Sequence, residues 1–175
     1  AHEGIDYCVL FGLMSGVGND LFDPDGMTTR AMLVSILYRM AGEPDVSELP
    51  ETPFEDVGPD AWYAHAVRWA YANEVAAGMD DTHFAPDDRL TRAQLVTMLY
   101  RAYGPEKGVR PRPIGGYTDW NTVPEWAYPA ATWAVSMGLL YGTSSTQLSP
   151  NAGANRAQLA AFMMRTCELQ SELDS

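Results

Sequence analysis

Three arginines recur in one context: Arg30 in TTRAM (28–32), Arg92 in LTRAQ (90–94) and Arg156 in ANRAQ (154–158). Each opens an apolar run with helical spacing, so each guanidinium falls in the first turn of a predicted helix. A cation there faces the positive end of the helix dipole, a loss of roughly 0.3 to 1 kcal/mol at an exposed site. The chain accepts that loss three times. One chemistry would put it to use: the arginine, the free N–H groups of the first turn and the dipole can converge on a bound carboxylate. Duplication followed by drift would also leave three idle arginines, and spacing alone does not separate the two.

The surroundings recur as well. Gly16, Gly78 and Gly142 each precede by six positions an apolar residue, Phe22, Phe84 or Leu148. Two residues later comes Pro24, Pro86 or Pro150, and a second arginine, Arg39, Arg101 or Arg165, follows the first by nine. Thr91 with Gln94, and Asn155 with Gln158, have the spacing of a capping box, which starts a helix without any ligand. Thr29 pairs with Met32, which cannot return the bond. Asp56 and Trp62 precede the second copy, Asp119 and Trp126 the third, and the first has no such front section.

Positioning these residues requires a repeat of about sixty residues. The copies run over 1–42, 53–104 and 116–169, joined by EPDVSELPETP (43–53) and PEKGVRPRPIGG (105–116), whose Pro and Gly read as linkers. Each copy reads as helix, loop, helix. The first helix is expected over 61–75 and 125–137, with Trp62 and Trp69, or Trp126 and Trp133, seven apart on one face. Core packing is the better account of Trp69 and Trp133. The second helix is expected over 30–40, 92–103 and 156–167. It is apolar around most of its circumference and belongs inside a bundle.

Composition narrows the function. With 23 Asp+Glu against 11 Lys+Arg, the chain is unsuited to nucleic acid or an anionic membrane surface bound through bulk charge. No apolar run approaches the roughly 18 residues of a membrane span. His2, His65 and His83 do not recur, and no carboxylate pair recurs in all three copies, so no catalytic residue, metal or cofactor is predicted. The acidic loops at 18–26 and 79–88 lack EF-hand spacing and read as solvated turns. Cys8 and Cys167 could pair, but two separate thiols are the simpler expectation.

The Gly, six-residue loop, Phe-x-Pro, Thr-Arg-Ala and apolar helix, preceded by Asp and Trp, resemble the S-layer homology domain family over nearly the whole chain. The resemblance implies an all-α, pseudo-threefold spindle with a central three-helix bundle and grooves between repeats. It further implies an extracellular module that anchors surface proteins to a secondary cell-wall polysaccharide carrying pyruvylated sugars; three internal repeats can close on themselves, so a monomer is expected. Carried over by position, the ligand residues are Thr29, Arg30, Thr91, Arg92, Arg156, Gly16, Gly78, Gly142, Asp56, Trp62, Asp119 and Trp126. The family's motif glutamate is Met32, Gln94 and Gln158 here, and Asn155 replaces threonine. Fewer than three working sites are therefore expected, and the one using Arg92 is expected to work before the others. The alternative is a helical-repeat scaffold that binds proteins through aromatic grooves and does not need the arginines.

Overall fold

The computed structural model describes residues 2–19, 21–104 and 116–173. Six helices account for its regular structure: α1 (His2–Leu10), α2 (Arg30–Met40), α3 (Ala64–Ala72), α4 (Arg92–Tyr103), α5 (Tyr128–Ser136) and α6 (Arg156–Leu173). Among the described residues there are no strands, so the fold is all-α. The second helices start where the sequence places them, and α6 runs six residues beyond the expected end at Cys167. The first helices are shorter than expected; Glu125–Ala127 is a separate 3-10 turn ahead of α5. The second linker, 105–116, lies almost entirely outside the described residues.

Capping chemistry explains the starts. The Gln94 N–H bonds to Thr91 Oγ1 at 3.2 Å and the Thr91 N–H to Gln94 Oε1 at 3.0 Å, which completes a capping box. Asn155 and Gln158 repeat it, at 2.8 and 3.4 Å. Thr29 accepts from the Met32 N–H at 3.3 Å and receives nothing back. The first helices end on matching left-handed residues, Gly12, Glu74 and Gly138, with φ of 67°, 58° and 68°. The two N–H groups after each return to one carbonyl, that of Cys8, Ala70 or Ala134.

Packing follows a cycle. Each first helix lies against the second helix of the preceding repeat: α3 on α2, α5 on α4, and α1 on α6. The last contact joins the two ends of the chain. Gly4 is what lets it close: a Cβ there would sit 2.9 Å from the Ala161 backbone. The core includes Leu33 and Leu37 of α2, Leu95 and Leu99 of α4, and Leu159 and Met163 of α6. Trp69 and Trp133 are buried, as their packing role requires.

Three short segments close the same cycle through the backbone. The Thr28 N–H bonds to the Ala154 carbonyl, Leu90 to Thr28, and Ala154 to Leu90. Around that ring the Arg30 N–H reaches Asp88, Arg92 reaches Ala152, and Arg156 reaches Gly26. The first N–H groups of each second helix, which a helix cannot satisfy internally, are thus taken by the neighbouring repeat. Those groups are not free for a ligand. Cys8 and Cys167 are free thiols on the packed pair α1 and α6. Burial, with Cys167 nearby, pushes the Cys8 thiol up to about 12.

Candidate functional site: grooves built from three repeats

Each helix-start arginine leaves its own repeat. Arg30 donates from Nε to the Phe84 carbonyl at 2.9 Å and from Nη2 to Ala77 at 2.7 Å. Arg92 does the same to Leu148 and Tyr141, and Arg156 to Phe22 at 2.8 Å and Ser15 at 2.5 Å. The accepting carbonyls are equivalent in all three cases: the residue before the recurring glycine, and the apolar residue six beyond that glycine. Arg30 and Arg156 also stack over Phe84 and Phe22, 4.6 and 4.5 Å from the ring centroids. The charge that looked misplaced against the helix dipole therefore clasps the next loop. The sequence could not show this, because the partners lie 47 to 141 residues away.

The clasp leaves chemistry over. The three arginines are only 3%, 4% and 7% exposed, and among the described residues none has a carboxylate within 4 Å. Burial lowers the pKa of each, opposed by more distant carboxylates such as Asp88 for Arg30 and Asp23 for Arg156. No Nη1 atom has a protein partner among the described residues. A buried cation without an anion carries a large desolvation cost, which a bound carboxylate would offset.

Asp56 and Asp119 clamp the same loops from the front. Asp56 accepts the N–H groups of Phe84 and Ala85 at 2.8 and 2.7 Å; Asp119 accepts those of Leu148 and Ser149, both at 2.8 Å. Ala85 and Ser149 sit at φ of 57° and 53°, a left-handed conformation that costs non-glycine residues energy and that the paired bonds hold in place. Asp23, the matching residue of the first repeat, has φ of 52° and no such carboxylate among the described residues. Both oxygens of Asp56 and Asp119 are thus engaged before any sugar hydroxyl arrives.

The Leu148 N–H, with the Ser149 N–H and Arg92 assisting, holds the Asp119 carboxyl below the ordinary carboxylate range. Because the folded pKa is the lower one, this stabilisation is present above the unfolded value of about 3.9 and is lost as the pH falls through the folded pKa. Asp119→Ala is expected to remove about 2 kcal/mol at pH 7. Urea midpoints of wild type and variant, followed downward from pH 7, should converge as the pH falls below the unfolded value and through the folded pKa of Asp119; a constant difference would place the effect in packing instead.

The glycines serve the loop too. A Cβ on Gly78 would meet the Asp80 carbonyl at 2.3 Å, and one on Gly142 the Gln147 carbonyl at 2.4 Å. At Gly16 the Leu21 carbonyl lies at 2.8 Å. Steric demand within the turn accounts for all three before any ligand is invoked. The acidic loop at 79–88 is likewise occupied by itself, since Asp80 accepts from the Thr82 and His83 N–H groups at 2.8 Å.

One groove brings the predicted residues together. A cavity of about 240 Å³ is walled by Arg156 of the third repeat, Ser15, Gly16 and Met32 of the first, and Trp62 of the second. Trp62 is 64% exposed and Trp126 55%, unlike their buried partners Trp69 and Trp133. The groove thus mixes three copies, so the completeness of a motif within one copy does not decide which groove is complete. Met32, Ser35 and Arg39 line it as well, and the sequence reading missed their role. The only signal for Ser35 was a hydroxyl on an otherwise apolar helix.

This architecture and its recurring loops define a three-repeat module of paired helices closed into a ring by backbone bonds. The chain belongs to the S-layer homology domain family, whose model matches residues 1–31, 53–96 and 116–160. A surface-layer 125 kDa protein of Lysinibacillus sphaericus is 31% identical over 175 residues, covering 96% of this chain and 14% of that protein. An endoglucanase of Bacillus sp. strain KSM-635 is 31% identical over 144 residues, 81% of this chain and 15% of its own. A cellulosome-anchoring protein of Acetivibrio thermocellus is 24% identical over 165 residues, 89% and 35% respectively. The chain therefore spans a minor part of each relative, and what the endoglucanase shares with it is the repeat module.

Proposed function

We propose that this chain is a non-enzymatic anchoring module, displayed on a bacterial cell surface, that holds an anionic and pyruvylated wall polysaccharide in the grooves between its repeats. The observation that carries the reading is the buried guanidinium without a carboxylate partner, set beside an exposed indole in the Arg156 groove. A ketal carboxylate is a small permanent anion that fits the remaining face of an arginine, and a tryptophan presents an apolar surface to the C–H side of a sugar ring. Membership of the family and the similarity to a surface-layer protein and a cellulosome-anchoring protein support the same reading. Among the described residues no helix is long and apolar enough to cross a membrane. The three repeats close on one another through backbone bonds, and we place the function in the monomer.

The cycle also assigns the grooves. By equivalence, the Arg30 groove takes Gly78 and Gln94 from the second repeat and Trp126 from the third, and the Arg92 groove takes Gly142 and Gln158 from the third. Calorimetric titration with pyruvylated wall saccharide is expected to show binding, and the depyruvylated saccharide none. Equal binding of both saccharides would defeat the carboxylate reading. The scaffold alternative draws on exposed Leu10, Phe11 and Leu21 in the first repeat. Failure of both saccharides to bind would move the function to that surface.

A further inference from the structure

Leu10, Phe11 and Leu21 are 80%, 61% and 61% exposed. Their counterparts in the other repeats are Ala72 and Ser136, Asn73 and Met137, and His83 and Gln147, so only the first copy is apolar and bulky at all three positions. The front sections do not cover these positions where they are present. Phe54 packs on Tyr71 and Phe84 in the second repeat, yet Asn73 and His83 stay exposed. Ser136, Met137 and Gln147 are exposed in the third. The positions thus face solvent in the complete copies, and the first alone places three large apolar side chains there, where burial within the fold does not account for them.

The three residues border one spot. The Phe54 ring centroid lies 5.2 Å from that of Tyr71 and 5.6 Å from that of Phe84, so the end of a first helix and the loop that follows it stand about a ring's width apart. In the first repeat the same turn carries Leu21, whose carbonyl accepts the Val17 N–H at 2.7 Å as His83 accepts that of Met79 at 2.8 Å. Phe11 stacks on Tyr7 with centroids 4.5 Å apart, and the rest of its ring is open to solvent.

The rim is acidic. Residues 1–29 hold Glu3, Asp6, Asp20, Asp23 and Asp25 and no lysine or arginine. Glu3 and Asp6, seven and four residues before Leu10, share its face of α1. Both are exposed, and neither has a salt bridge among the described residues. A second copy would bring the same carboxylates to the contact, and an anionic lipid surface would also face them; a chain of net charge −12 is repelled by both.

We infer that Leu10, Phe11 and Leu21 form a docking surface for a protein segment that is apolar at its centre and flanked by Lys or Arg. Burial of the three side chains supplies affinity, while Glu3 and Asp6 favour the basic flank and turn acidic surfaces away. None of the three lines the Arg156 groove, so this surface works beside the grooves whatever they hold.

The test uses the full chain and two helix-forming peptides with one apolar stripe, the first of Leu and Lys, the second with Glu for every Lys. Fluorescence anisotropy in about 0.15 M salt is expected to show binding of the Leu/Lys peptide and none of the Leu/Glu peptide. Leu10→Ser with Phe11→Asn and Leu21→Gln takes each position to a counterpart and keeps the net charge, so binding through bulk charge alone would survive it. This variant should bind the Leu/Lys peptide about tenfold more weakly and melt within about 2 °C of the wild type. If it does not fold, Leu10→Ser alone should weaken binding about threefold, and Asp6→Asn by a smaller factor. Unchanged binding by the folded variants, or equal binding of both peptides, would overturn the proposal. So would a dimer in sedimentation velocity, or capture by anionic vesicles, that the apolar substitutions abolish, since the occupant would then be a second copy or a lipid surface.

Discussion

Arg156→Ala is expected to lower the stability of the ligand-free chain by about 3 kcal/mol, which for this length is a fall in Tm of about 6 to 12 °C. The Phe22 and Ser15 carbonyls would lose their donors, and the Phe22 ring its cation. The opposite sign follows if the arginine served a ligand alone. Removing a buried cation that has no anion and opposes a helix dipole would then leave the free protein unchanged or more stable. Differential scanning calorimetry without ligand separates the two by sign. A second variant isolates binding from folding. Arg156→Lys keeps a cation but cannot hold two carbonyls and a carboxylate in one plane, so it should regain part of the stability and little of the affinity. A free protein that melts unchanged after Arg156→Ala would show that the clasp contributes nothing and would return the residue to the ligand.

Trp62→Ala should show the reverse pattern. The side chain is mostly exposed, packing chiefly edge-on against Tyr63 with ring centroids 5.2 Å apart, so its loss should move Tm by no more than about 2 °C. Binding at the Arg156 groove should fall by roughly 10- to 100-fold, since a central aromatic contact is commonly worth about 1.4 to 3 kcal/mol. Titration of Trp62→Ala should show one strong site fewer than the wild type, and Trp62→Ala with Trp126→Ala two fewer. An unchanged number of strong sites in the single variant would break the cyclic assignment of grooves. A large fall in Tm would place Trp62 in the fold and not in the site.

These two predictions split residues that read alike in the sequence. Arginine, aspartate, glycine and tryptophan all recur at fixed offsets, and the family resemblance implies a ligand role for all of them. The structure gives Asp56, Asp119 and the three glycines prior duties inside the loops, gives the arginines a double duty, and leaves Trp62 and Trp126 as the side chains with the least structural work. Recurrence marks whatever a repeat needs, whether to fold or to bind. It does not distinguish the two, because a turn and a ligand can demand the same residue.

The sequence by itself determined the number of repeats, the all-α class, the start of every second helix and the buried tryptophans. These are local matters: a capping residue, an apolar period and a turn are each written within a few residues. What only the tertiary structure decided is which copies meet. The cyclic backbone bonds place the arginine of one repeat against the loop of the next and the indole of a third, across separations of 47 to 141 residues for the arginine bonds. Groove composition therefore depends on ring closure, which draws the Arg156 groove from both ends of the chain and its middle.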